Sequence, residues 1–268
     1  MKWQGRRKSS NVQRGSRGGG SPSIFGGGIV GLVLILAYVL LGGDISNLPR
    51  DTSPVNNNNI QTTKEQAVLE DFLSVVLADT EDVWHEKFKE YGIEYKEPKM
   101  TLFSQATRSG CGLAQSNVGP FYCPVDQTVY IDSTFYYDLK NTFGADGDFA
   151  FAYVLAHEIG HHVQNQLNVL NQVQPLRNKL SEEEYNKYSV AMELQADYFG
   201  GLFAYYIQEK GYLESGDIEE AMNAAASIGD DRIQKMSGQE VNADTFTHGT
   251  SEQRKNAFEQ GFKHHDLE

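Results

Sequence analysis

The chain has 268 residues, 40% of them hydrophobic and 22% charged, and its 23 basic and 36 acidic side chains leave a net charge of −13. These proportions are globular and exclude a collagen-like or wholly disordered polymer. The acidic balance argues against a nucleic-acid binder, and two cysteines are too few for a disulfide-dense scaffold.

The charge is unevenly placed. Lys2, Arg6, Arg7, Lys8, Arg14 and Arg17 are the six basic residues of the first 43, with no acid among them. Together with the local glycines and serines, they predict a disordered basic tail over 1–23. Residues 24–43 are 20 uncharged, mostly apolar residues. As a helix they would cross the roughly 30 Å hydrocarbon core of a bilayer. The basic flank predicts that the amino-terminal side stays in the cytoplasm. A cleaved signal peptide is the competing assignment, but the apolar run exceeds a usual signal core and no small-x-small site follows Gly42-Gly43. The expectation is a single-pass, uncleaved anchor in the cell membrane with the bulk of the chain extracytoplasmic. Residues 44–62, with Pro49, Pro54 and asparagines at 56–59, predict a flexible linker, and 63–268 the globular domain.

Apolar residues recur at helical spacing over 63–91 (Val68, Leu69, Phe72, Val75, Val76, Val83, Trp84, Phe88) until Gly92 ends the pattern. Extended runs are expected at 100–106 and 128–132, the second alternating like an edge or half-buried strand. In an exported domain Cys111 and Cys123 predict one disulfide, worth about 3 kcal/mol in the entropic model. Free buried thiols, or ligands of a second metal, are the alternatives; no neighbouring His or Cys completes a tetrahedral set. Helical patterns occupy 133–143, 148–166, 181–211, 216–228 and 250–262. Ser181 with Glu184, Asp217 with Glu220 and Thr250 with Gln253 have capping-box spacing. The fold class expected is α+β, a mostly helical domain with a small sheet.

Two of these helices carry the chemistry. The first contains His157-Glu158-Ile159-Gly160-His161-His162. His157 and His161 are separated by about 400° of helical rotation, so both imidazoles leave nearly the same face one turn apart. That pair can bind one Zn²⁺, with Glu158 beside it as general base for water on the metal. A solvated surface helix is the bland alternative. The flanks Phe149, Phe151, Tyr153, Val154, Leu155, Ile159 and Val163 are apolar, however, and polar groups buried among them need partners.

A catalytic zinc requires a third protein ligand. Gln164 and Leu167 stand where the metzincin pattern wants glycine and histidine, so that class is excluded. The expected ligand is Glu193, in Glu193-Leu194-Gln195-Ala196-Asp197. Asp197, one turn on, would hold a ligand histidine by its other ring nitrogen. An exposed Glu/Asp pair is the alternative, disfavoured by Ala191, Met192, Leu194, Ala196, Tyr198 and Phe199 around it. His162 lies about 500° from His157 and is expected to be a structural hydrogen-bonding residue. His85, His264 and His265 belong to no constellation.

The two motifs together resemble the gluzincin zinc peptidases and, more narrowly, the bacterial neutral zinc metallopeptidase family of membrane-anchored proteins. Cys111-Gly112, Gly119-Pro120-Phe121-Tyr122-Cys123-Pro124, Val129-Tyr130-Ile131-Asp132 and His248-Gly249-Thr250-Ser251-Glu252-Gln253-Arg254 extend the resemblance over most of the chain. It implies a zincin-like endopeptidase with an edge strand beside the active-site helix to align a peptide, placed here at 128–132, where an ordinary core strand is equally expected. It also implies a late residue, here His248, that hydrogen-bonds the oxyanion; a loop or capping histidine is the alternative. The functional expectation is a membrane-anchored zinc-dependent metallopeptidase acting on peptides or proteins, with one Zn²⁺ per chain on His157, His161 and Glu193. Two rivals remain. One is a membrane-tethered zinc-binding scaffold, which would need a fourth protein ligand that the sequence does not offer. The other is a zinc hydrolase of a non-peptide amide.

Overall fold

The computed structural model describes residues 1–15 and 63–267. The expected anchor at 24–43 and linker at 44–62 lie outside the described residues. Among the described residues, no helix is long and apolar enough to cross a membrane.

The segment 148–166 is apolar on nearly every side, and such a helix is stable only when surrounded. It forms α3 (Asp148–Gln166; numbering in chain order), buried at every position from Phe149 to Gln164. Around it stand α1 (Thr63–Glu90), α5 (Glu182–Glu209), α6 (Asp217–Ser227) and α8 (Ser251–His264), with α8 also laid along α5. Three shorter helices, α2 (Phe135–Asn141), α4 (Val169–Val173) and α7 (Asp230–Met236), complete the helical set among the described residues. The capping boxes at Ser181/Glu184 and Thr250/Gln253 form as expected and start α5 and α8. The third does not form. Gly216 is the N-cap of α6 at φ 102°, and Asp217 accepts the Glu214 N–H at 2.7 Å. The Glu220 carboxylate reaches across to accept the Phe149 N–H at 3.1 Å, capping α3 instead of its own helix.

Where α3 meets α5, the separation is set by a missing side chain. A Cβ built on Gly160 would stand 3.0 Å from Ala196 Cα and 3.1 Å from its carbonyl oxygen. The two ligand-bearing helices therefore touch backbone to backbone, between His157 and His161 on one side and between Glu193 and Asp197 on the other.

The main sheet has the order β1 (Val12–Arg14), β2 (Lys99–Phe103), β6 (Thr128–Asp132), β5 (Phe121–Cys123). β1, β2 and β6 run parallel, and β5 is antiparallel to β6 with Phe121 opposite Tyr130. A separate hairpin joins β3 (Ala106–Ser109) to β4 (Gly112–Gln115). The expected disulfide, Cys111–Cys123, ties the turn of that hairpin to β5, with Cα atoms 5.8 Å apart. A mixed α+β domain with a small sheet is thus present, with two differences from expectation. The strand 128–132 is no edge: it is flanked by β2 and β5 and buried at all five positions, and the edge next to α3 is β5. The stretch 1–15, expected in a disordered tail, is ordered against the domain, because the acids of α1 and the free edge of β2 supply partners that composition alone cannot reveal.

Candidate metal centre

His157 and His161 project from one face of α3 with ring centroids 4.8 Å apart, as their spacing requires. Glu193 of α5 meets them from the opposite side. Its Oε2 lies 3.2 Å from His157 Nε2 and its Oε1 3.6 Å from His161 Nε2. The three donor atoms lie within 4.8 Å of one another, and all three side chains are buried.

The outward nitrogens fix the inward ones. His157 Nδ1–H donates to Asp197 Oδ1 at 2.8 Å, and His161 Nδ1–H donates to Gln164 Oε1 at 2.9 Å. Gln164 is held in turn, its amide nitrogen donating to the Met192 carbonyl at 2.7 Å and to Gln195 Oε1 at 3.0 Å. With both Nδ1 atoms engaged, both Nε2 atoms are turned toward Glu193, the orientation a pair of metal ligands needs. His161 Nε2 and Glu158 Oε2 are buried with no hydrogen-bond partner. Buried polar atoms seldom stay unpaired, and a divalent cation on a His₂Glu donor set would satisfy His161 while leaving Glu158 to face the reaction space.

The model of the family described as "Putative neutral zinc metallopeptidase" matches residues 1–268. The chain belongs to this family. A relative, uncharacterized protein YpfJ of Escherichia coli (strain K12), is 46% identical over 275 residues, covering 98% of this chain and 95% of that protein. Uncharacterized protein Rv2575 of Mycobacterium tuberculosis (strain H37Rv) is 45% identical over 180 residues, covering 63% of this chain and 60% of its own. No solved structure matches.

In this member of the neutral zinc metallopeptidase family, two residues of the centre were not legible as such. Arg254, in the first turns of α8, is almost fully buried. Its Nε donates to Asp197 Oδ2 at 2.8 Å and its Nη2 to Oδ1 at 3.0 Å, while the Tyr153 hydroxyl also donates to Oδ1. An anion as deep as Asp197 needs such a cation, so a buried-acid prediction carries an implied arginine somewhere downstream. Asp230, the first residue of α7, accepts the backbone N–H groups of Thr247, His248 and Gly249 at 2.8, 2.6 and 2.9 Å. That clamp fixes the loop holding His248, whose Nδ1 rests 2.9 Å from Thr247 Oγ1 and whose buried Nε2 has no partner.

Charge around the centre follows from burial and proximity. Burial drives Glu158 up to about 7, against a hydrogen bond from the Tyr122 backbone N–H on β5. Burial likewise lowers His161 to about 4. For Glu193 burial works against the charge, but His248, His161 and His157 hold its pKa below the usual carboxylate range. His157 also loses by burial, yet Asp197 and Glu193 raise it to about 10. A cation bound there would compete with protons for the imidazoles. His162 is structural, as expected: its nitrogens meet the Tyr122 hydroxyl at 2.9 Å and the Lys96 carbonyl at 2.7 Å. His85 pairs with Glu97 at 2.9 Å, and His264 and His265 stay away from the centre.

Proposed function

We propose that the protein is a zinc-dependent endopeptidase whose ion is held by His157, His161 and Glu193, and that the apolar run 24–43 attaches it to a membrane. What carries the catalytic part is the convergence of three buried donors from two helices beside a carboxylate, Glu158, that no protein group satisfies at one oxygen. Zinc at such a site supplies a Lewis acid that polarises a carbonyl and brings the pKa of water toward neutrality.

The remaining work belongs to the chain. Glu158, with its proton affinity raised by burial, accepts the proton of the attacking water and returns it to the leaving amine. The unpartnered Nε2 of His248 donates to the oxygen that gains negative charge, and the Asp230 clamp holds that imidazole in place beforehand. β5 ends the sheet beside α3, and its Tyr122 backbone N–H steers the Glu158 carboxylate.

The test is hydrolysis of casein and of a quenched peptide library by the full chain carrying one equivalent of zinc. Cleavage that is lost in Glu158→Gln, with zinc content intact, supports the proposal. Full zinc with no cleavage of any peptide overturns it.

A further inference from the structure

The amino-terminal segment is built into the domain. Val12, Gln13 and Arg14 pair in parallel register with Met100, Thr101 and Leu102. Met100 N–H donates to the Asn11 carbonyl at 3.0 Å and Gly15 N–H to the Leu102 carbonyl at 2.8 Å. Gly15 is required there, since a Cβ would sit 2.9 Å from both Phe103 Cβ and Thr107 Oγ1. Upstream, the Trp3 ring meets Phe72 edge-on at 5.7 Å, and the Met1 side chain joins the main core.

Lys2 reaches the Gly211 carbonyl at 3.2 Å, and the next four basic residues are matched to acids of α1. Arg6 pairs with Asp79 and lies over the Tyr212 ring. Arg7 pairs with Glu81 at 2.9 Å and Asp82 at 2.7 Å, Lys8 with Asp71 at 2.6 Å, and Arg14 with Glu70 at 2.9 Å. Two of these acids, Asp79 and Glu81, are buried, and Glu81 also accepts from the Ser9 hydroxyl and the Asn11 amide. Removing the segment would strip Asp79 and Glu81 of the arginines and hydrogen bonds that meet them and would bare the edge of β2, which invites mispairing. The domain is shaped around these fifteen residues.

We propose that residues 1–15 are a permanently docked strand of the domain, and that both therefore lie on the same side of the membrane. This conflicts with the orientation expected from the basic flank, which puts residues 1–23 in the cytoplasm and the domain outside. A single crossing between residues 15 and 63 would separate surfaces that touch. The positive-inside tendency acts on Lys and Arg left facing the membrane; here Arg6, Arg7, Lys8 and Arg14 are engaged by α1. The proposal does not depend on the zinc chemistry, so either can fail without the other.

Two measurements on the full chain in a bacterial host decide it. The native cysteines form a disulfide and are silent to maleimide. Lys8→Cys and, in the domain, Val125→Cys place single thiols at exposed positions. A membrane-impermeant maleimide should label both in intact spheroplasts, or both only after lysis. Labelling of one in intact spheroplasts and the other only after lysis overturns the proposal. In the second measurement, the purified double variant Lys8→Cys/Asp71→Cys should be joined within one chain by a short bismaleimide. Single labelling of each thiol without the cross-link means the segment is undocked, and also overturns it.

Discussion

The metal centre and the amino-terminal dock are both built from opposite charges, but they spend them differently. At the centre, Asp197 and Arg254 are both sealed from water, and each aims something else: Asp197 holds His157, and Arg254 holds Asp197. At the dock, the buried acids Asp79 and Glu81 are met by Arg6 and Arg7, while Lys8 and Arg14 pair with Asp71 and Glu70 at the surface. A fully buried pair gives geometry at the cost of dehydration, so losing one partner is severe; solvent-exposed pairs contribute little individually and act through their number and through the strand they accompany.

The largest effect should come from the group that handles the proton. Glu158→Gln should lower kcat/KM by about 10²–10⁴-fold, with zinc content by atomic absorption unchanged. The wild-type profile should fall on acidification, because the base must be ionised to accept a proton. A bound divalent cation draws the pKa of Glu158 below its metal-free value of about 7, so the acid limb should lie below pH 7 and vanish in the variant. Next, Arg254→Met leaves the buried Asp197 anion with only His157 and the Tyr153 hydroxyl and should destabilise the domain by about 3–5 kcal/mol in urea unfolding. Reducing Cys111–Cys123 should cost about 3 kcal/mol by the same measurement. Gln164→Met, which removes the acceptor that orients His161, should weaken zinc binding about 10–100-fold in a chelator competition. Smallest of all, Arg14→Ala should leave the unfolding midpoint unchanged. If Arg14→Ala proved as costly as Arg254→Met, the contrast between the two regions would collapse.

What was legible in the sequence follows the same division. His157, Glu158, His161, Glu193 and Asp197 could be placed because each pair sits within one helical turn, where spacing alone fixes the shared face. The caps at Ser181 and Thr250 are local in the same sense. Arg254 is not legible in this way, because an arginine in a polar helix looks like surface until a buried anion 57 residues away claims it. Asp230 binds a loop rather than its own helix, so no periodicity announces it. β5 is three residues long, too short to show alternation, which is why the edge was assigned to its neighbour β6. The basic stretch was misjudged for the complementary reason: its partners are acids of α1 from residue 70 onward, and charge composition says nothing about who stands opposite.

The close approach of α3 and α5 at Gly160 gives that residue a role quite apart from the ion. The distance between the imidazoles on one helix and the carboxylate on the other is, in effect, gauged by the thickness of a single residue that has no side chain to offer the ion. Gly160→Ala would insert one methyl group as a shim against Ala196 and shift one helix by a few tenths of an ångström, moving the imidazoles relative to the carboxylate while every donor was still present.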